Sequence, residues 1–106
     1  MRLQKSPQPA PQWDLAEAKR IVTSMLASYS TKVYLFGSRA NGTMGRYSDI
    51  DIAVLPDEQL PIGLLSSIRE ALEQSNILYK VELLDLSDVS SEFKSRVISE
   101  GCLWRG

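Results

Sequence analysis

Asp49-Ile50-Asp51-Ile52-Ala53-Val54-Leu55 decides how this chain folds. The first half alternates acid with isoleucine and the second half is apolar throughout. A strand that starts at the surface and runs into a core has this pattern, because successive side chains point to opposite faces. The alternation puts Asp49 and Asp51 on one face, roughly 6.6 Å apart along the backbone, and turns Ile50 the other way, into the core. Pro56 and the acids after it end the strand.

Upstream, Val33-Tyr34-Leu35-Phe36 is a β-branched, aromatic and apolar run closed by Gly37, and it reads as another buried strand. Residues 38–48 between the two runs are polar and carry Gly42 and Gly45. That connection is long for a plain hairpin, which invites a functional explanation. Before the strands, Leu15, Ala18, Ile21, Val22, Met25, Leu26 and Tyr29 form one helical stripe. Asp14, with Glu17 three residues on, has the capping-box offset and predicts a helix start at Asp14. Pro7, Pro9 and Pro11 mark residues 1–12 as an extended arm, which leaves 13–106 as the folded domain.

Downstream, Pro61 suits a helix first turn, and Leu64, Leu65, Ile68, Ala71 and Leu72 supply its buried stripe. Tyr79 to Leu86 reads as a third strand. Ser87 through Ser91 offers caps for a last helix that carries Val89, Phe93, Val97 and Ile98 and runs to Glu100. Gly101 fits the left-handed position that closes helices, and Cys102-Leu103-Trp104 follows as a short apolar tail. The expected fold is α/β (α+β), in the order α-β-β-α-β-α. A small mixed sheet of about three to four strands is flanked by helices. Trp13 and Trp104 read as packing or interface anchors.

Composition narrows the chemistry. At 106 residues the chain is one domain. It has no histidine and one cysteine, Cys102. That excludes a Ser-His-Asp triad, a Cys-His pair, an imidazole-bound zinc, an internal disulfide and a Cys-x-x-Cys redox pair. No apolar run approaches the roughly 18 residues of a membrane span, and the N-terminus lacks a signal-peptide core. The expectation is a cytoplasmic protein with a reduced thiol. Net charge is −1, but residues 1–48 carry +5 and residues 49–106 carry −6. This is either two solvated faces or a basic phosphate-binding half facing an acidic metal-binding half.

Two carboxylates on one strand face repel each other unless a cation sits between them. Without histidine or thiolate ligands, the suitable cation is hard and oxygen-loving, Mg²⁺ or Mn²⁺. Gly37-Ser38, at the end of the preceding strand, adds a second part. Glycine lets the backbone approach a bulky anion, and Ser38 supplies a hydroxyl beside the free N–H donors of a helical turn. Arg39 and Arg46 add positive charge nearby.

Taken together, Gly37-Ser38, ten intervening residues and Asp49-Ile50-Asp51 resemble the signature of the nucleotidyltransferase superfamily typified by DNA polymerase beta. Gly37-Ser38-Arg39-Ala40 and Ser48-Asp49-Ile50-Asp51-Ile52-Ala53-Val54 are similar to its minimal nucleotidyltransferases. The resemblance covers about residues 14–104. It implies that Gly37 and Ser38 hold the β- and γ-phosphates of a nucleoside triphosphate, with Arg39 neutralising phosphate charge. It also implies that Asp49 and Asp51 ligate two Mg²⁺ ions, or Mn²⁺. The family places a third acid, usually Asp, on the strand after the middle helix. In Lys80-Val81-Glu82-Leu83-Leu84-Asp85-Leu86 the matching place holds Glu82, one methylene longer, while Asp85 falls on the opposite face of a regular strand. Such a change predicts weakened activity, because misplacement by about 1 Å costs on the order of 10²-fold in rate.

The activity implied is transfer of AMP from ATP to a hydroxyl. The chain holds no second domain to read DNA, RNA or a small acceptor, so direct nucleic-acid binding is not expected. The acceptor would be a tyrosine of a partner, a small helical HEPN-type toxin that this chain serves as antitoxin, in a homo- or hetero-oligomer. The competing expectation is a weak or inactive binding subunit that neutralises its partner sterically.

Overall fold

The computed structural model describes residues 11–37 and 49–105. Its elements are α1 (Pro11–Met25), β1 (Thr31–Phe36), β2 (Ile50–Pro56), α2 (Leu64–Glu73), β3 (Val81–Asp85), a 3-10 turn (Leu86–Asp88), α3 (Ser91–Glu100) and β4 (Cys102–Arg105). The strands form one mixed sheet in the order β3-β2-β1-β4. β1 runs antiparallel to β2, from Thr31 opposite Pro56 to Phe36 opposite Asp51. β2 and β3 are parallel, with Ile50 opposite Val81 and Asp51 opposite Glu82. A parallel pair needs a crossover, and α2 supplies it.

The two faces of the sheet are covered unequally, and this positions the site. On one face Val33, Leu35, Ile50, Ile52, Val54 and Leu83 pack against the stripes of α1 (Ala18, Ile21, Val22, Leu26) and α2 (Ile68, Leu72). On the other, Tyr34 and Ala53 meet Leu86 and Val97, joined by Phe36, Leu55, Val89 and Phe93. Among the described residues, α3 and the turn before it cover this second face. Ser90 caps α3 by accepting from the Phe93 N–H at 3.2 Å.

Several boundaries differ from the sequence expectation for identifiable reasons. α1 begins at Pro11, a residue whose fixed φ suits a first helical position. It therefore takes in the last two residues expected in the arm. Asp14 sits fully buried inside the first turn, where the helix dipole favours an acid. Glu17 pairs instead with Arg20 at 2.6 Å. α2 starts at Leu64, after Gly63 turns the chain with φ 89°, so Pro61 belongs to the preceding loop. β3 ends at Asp85, whose carboxylate accepts from the Ser87 N–H at 2.8 Å and opens the 3-10 turn. Gly101 is not left-handed: its φ is −80° and its ψ 170°. A Cβ there would lie 2.5 Å from the Val97 carbonyl and 3.0 Å from that of Leu35. The missing side chain lets the chain pass directly from α3 into β4.

β4 is the fourth strand, formed by the stretch expected as a tail. It pairs antiparallel with β1, Leu35 opposite Cys102 and Tyr34 opposite Leu103. Its last residue closes the far side of the fold. The Arg105 guanidinium donates to the Leu26 carbonyl at 2.8 Å, the Tyr29 carbonyl at 3.0 Å and the Thr31 hydroxyl at 2.7 Å. The Leu26 carbonyl also accepts from the Tyr29 N–H at 3.0 Å, so Arg105 ties that turn at the end of α1 to the start of β1. At the other sheet edge, Arg69 of α2 donates to the Leu83 carbonyl of β3 at 2.9 Å and blunts that edge. Truncating Arg105 takes the donor from the partly buried Tyr29 carbonyl and Thr31 hydroxyl. Arg105→Ala is therefore expected to cost about 1–3 kcal/mol and to lower the melting temperature by about 5–15 °C. Arg105→Lys should rescue little, because an ammonium cannot reproduce the planar fork. Thermal denaturation of the three proteins checks this.

Candidate active site

The site begins where β1 stops. Gly37 follows Phe36 with φ 81°, a left-handed conformation that favours glycine. A Cβ on Gly37 would overlap the Asp51 carboxylate and lie 3.3 Å from its Cγ. The glycine is thus required twice, by its backbone angle and by the acid seated against it. Asp51 is held there by register, since it stands opposite Phe36 on one side and Glu82 on the other. Directly opposed residues share a face, so Phe36, Asp51 and Glu82 form a line across the sheet on the face that α3 only partly covers. Asp49 lies two residues before Asp51 and is exposed. Ile50 between them is fully buried on the opposite face.

The carboxylates feel one another. Burial pushes the Asp51 carboxyl above its ordinary range, and the charges of Asp49 and Glu82 push it further. Lys80 answers part of this charge. Its ammonium pairs with Glu82 at 2.9 Å, and that hydrogen bond, with the charges of Glu82 and Asp49, raises the lysine. Among the described residues no three acids gather into a ready metal cage. Mg²⁺ is usually held by one or two carboxylates together with substrate phosphates and water. An oxygen-only donor set under mutual repulsion, open on one side, fits such a cation.

Of the residues singled out from sequence, Gly37, Asp49, Asp51 and Glu82 are brought to one end of one sheet face. Ser38 and Arg39 lie outside the described residues, as does Arg46. Asp85 is occupied in capping the 3-10 turn. Lys80 was missed, although the alternation Lys80-Val81-Glu82 places it on the acid face. Cys102 is a free, exposed thiol on edge strand β4. Among the described residues no helix is long and apolar enough to cross a membrane.

The family model described as Polymerase beta, Nucleotidyltransferase matches residues 22–104, the span holding all of these positions. The chain belongs to the polymerase beta nucleotidyltransferase family. Among relatives of this nucleotidyltransferase is the Haemophilus influenzae protein named "Probable protein adenylyltransferase MntA". It is 33% identical over 81 residues, which are 76% of this chain and 69% of that one. A solved toxin-antitoxin structure with AMP-PNP superposes with a TM-score of 0.60 at 30% identity, covering 83% of this chain and 73% of that chain. A solved complex of tri-AMPylated Shewanella oneidensis HEPN toxin with MNT antitoxin superposes with a TM-score of 0.62 at 26% identity, covering 90% and 71%. The nucleotidyltransferase fold, α-β-β-α-β-α with the additional β4, is shared with these structures.

The raised Asp51 carboxyl has a consequence for stability. A carboxyl that holds its proton more tightly when folded makes the fold lose stability as pH rises from the ordinary carboxylate range through the raised value. At neutral pH, without divalent cations, that loss is complete. Asp51→Asn removes it, so the variant should melt above the wild type at pH 7. The gain is about 1–4 °C, since solvent screens a half-open site. Near pH 3 the difference should vanish. Melting curves in chelator at the two pH values check this.

Proposed function

We propose that this chain is a metal-dependent protein adenylyltransferase that moves AMP from ATP to a hydroxyl of a partner protein. The partner class is a HEPN-type helical toxin, neutralised by the modification. The observation that carries the reading is the pairing of Asp51 with Glu82 on neighbouring strands, with Gly37 packed against Asp51 at the end of a third. Support comes from the AMP-PNP and AMPylated-toxin structures that the chain resembles.

Each residue has a role in this reading. Gly37, together with Ser38 beyond it, lets the β- and γ-phosphates approach the backbone. Arg39 adds charge for them. Asp49 and Asp51 would hold Mg²⁺ or Mn²⁺ against the triphosphate, and Glu82 would complete the set on the acceptor side. When bound, such cations offset phosphate charge and lower the pKa of the attacking hydroxyl. The acceptor oxygen forms a bond to the α-phosphorus, the bond from that phosphorus to the β-phosphate oxygen breaks, and pyrophosphate leaves. The hydroxyl proton passes to a carboxylate of the site and on to water. The Lys80–Glu82 ion pair ties up the third acid. It is also the one observation that favours the second reading, a binding subunit that blocks its partner without chemistry.

Incubation with α-labelled ATP, Mg²⁺ and the product of the neighbouring gene separates the two. The adenylyltransferase reading predicts label on that protein, lowered at least about 10²-fold by Asp49→Asn with Asp51→Asn. Glu82→Asp, which shortens the third acid, should raise the rate by up to about 10²-fold. A complex that forms and inhibits without label, equally well with the double variant, would sink the enzymatic reading.

A further inference from the structure

We infer that Arg96, in a cleft between α3 and the end of β1, is a binding residue for the terminal phosphates of the nucleotide and for departing pyrophosphate. The inference rests on the nucleotidyltransferase reading above and extends it to a helix outside the Gly-Ser and aspartate motifs.

The cleft has a volume of about 210 Å³. Gly37 and Gly101 lie at its wall, Phe36 and Phe93 give it an aromatic floor, and Arg96 and Glu100 are its charged residues. The two rings meet edge to face with centroids 5.8 Å apart. It opens at Gly37, the residue whose missing side chain makes room for the Asp51 carboxylate.

Sheet order then supplies a direction. Passing across neighbouring strands, Glu82 on β3 is followed by Asp51 on β2, then by Phe36 and Gly37 at the end of β1. Each step is about 4.8 Å. In-line displacement puts the attacking oxygen and the leaving oxygen on opposite sides of the α-phosphorus. With Glu82 on the acceptor side and Asp49 and Asp51 in the middle, the leaving group lies toward Gly37. Among the described residues, the α3 cleft, lined by Gly37 and by Gly101 just before β4, lies on that side.

Arg96 is also the described arginine left without internal work. Arg20 is bound to Glu17, Arg69 to the Leu83 carbonyl and Arg105 to the end of α1. Arg96 is exposed, and no hydrogen bond or ion pair engages its guanidinium among the described residues. A guanidinium binds phosphate oxygens in a planar, two-pronged fashion. Glu100, one turn further on, lines the same cleft, is in no ion pair among the described residues, and opposes an anion there. The two residues therefore make opposite predictions.

Calorimetric binding of α,β-methylene-ATP, inorganic pyrophosphate and AMP in Mg²⁺ tests this without turnover. Arg96→Ala should weaken the methylene-ATP and pyrophosphate about tenfold and leave AMP unchanged. Arg96→Lys should recover part of the loss, and Glu100→Gln should tighten both ligands. The side chain is exposed, so circular dichroism should show Arg96→Ala folded as wild type. If wild type binds methylene-ATP and Arg96→Ala binds it equally well, this inference falls while the nucleotidyltransferase reading stands. Equal weakening of AMP would overturn it too, since the residue would then act on the whole site. A wild type that binds no methylene-ATP overturns both.

Discussion

The Asp51 carboxylate occupies the space a side chain at position 37 would need. That one steric relation ties the end of β1 to the start of β2. It requires a glycine with φ 81° and holds the acid at the point where the chain leaves the sheet. The antiparallel register extends the constraint in both directions, toward Phe36 and, through the parallel pairing, toward Glu82. Shifting either register by one residue would turn Asp51 into the α1–α2 core and Ile50 out to solvent.

Unequal coverage of the sheet turns this geometry into a site. The face packed by α1 and α2 buries a broad apolar cluster and supplies most of the stability. The face under α3 is covered toward Tyr34 and Ala53 and left partly open at the acids. The fold therefore keeps mutually repelling carboxylates half-hydrated, at a cost that Lys80 offsets in part. A bound cation with a triphosphate would relieve the rest. Strain of this kind beside a glycine turn is typical of a ligand site whose occupant completes the charge balance.

Much of this was legible in the residues because the pattern was local. Asp49 to Leu55 announces its own faces, and Ile50, Ile52 and Val54 are fully buried as the alternation requires. What escaped the sequence was non-local. Cys102 to Arg105 is four residues long, too short to show a period, and becomes a strand only because β1 presents an edge to it. Arg105 looks like an ordinary terminal charge until the fold brings it to the end of α1, and Gly101 looks like a helix stop until the Leu35 carbonyl is seen against it. Lys80 and Arg96 belong to no motif in the sequence and acquire meaning only from their neighbours. The basic half of the charge split is placed only in part, because Arg39 and Arg46 lie outside the described residues.

We propose that the acids around Asp51 take a divalent cation together with a nucleoside triphosphate. Mn²⁺ uptake followed by electron paramagnetic resonance, with and without α,β-methylene-ATP, measures this directly. Weak uptake by the protein alone, much tighter uptake when the nucleotide is present, and loss of that gain in Asp51→Asn are expected. Uptake that the nucleotide does not strengthen, or that Asp51→Asn leaves intact, would contradict it.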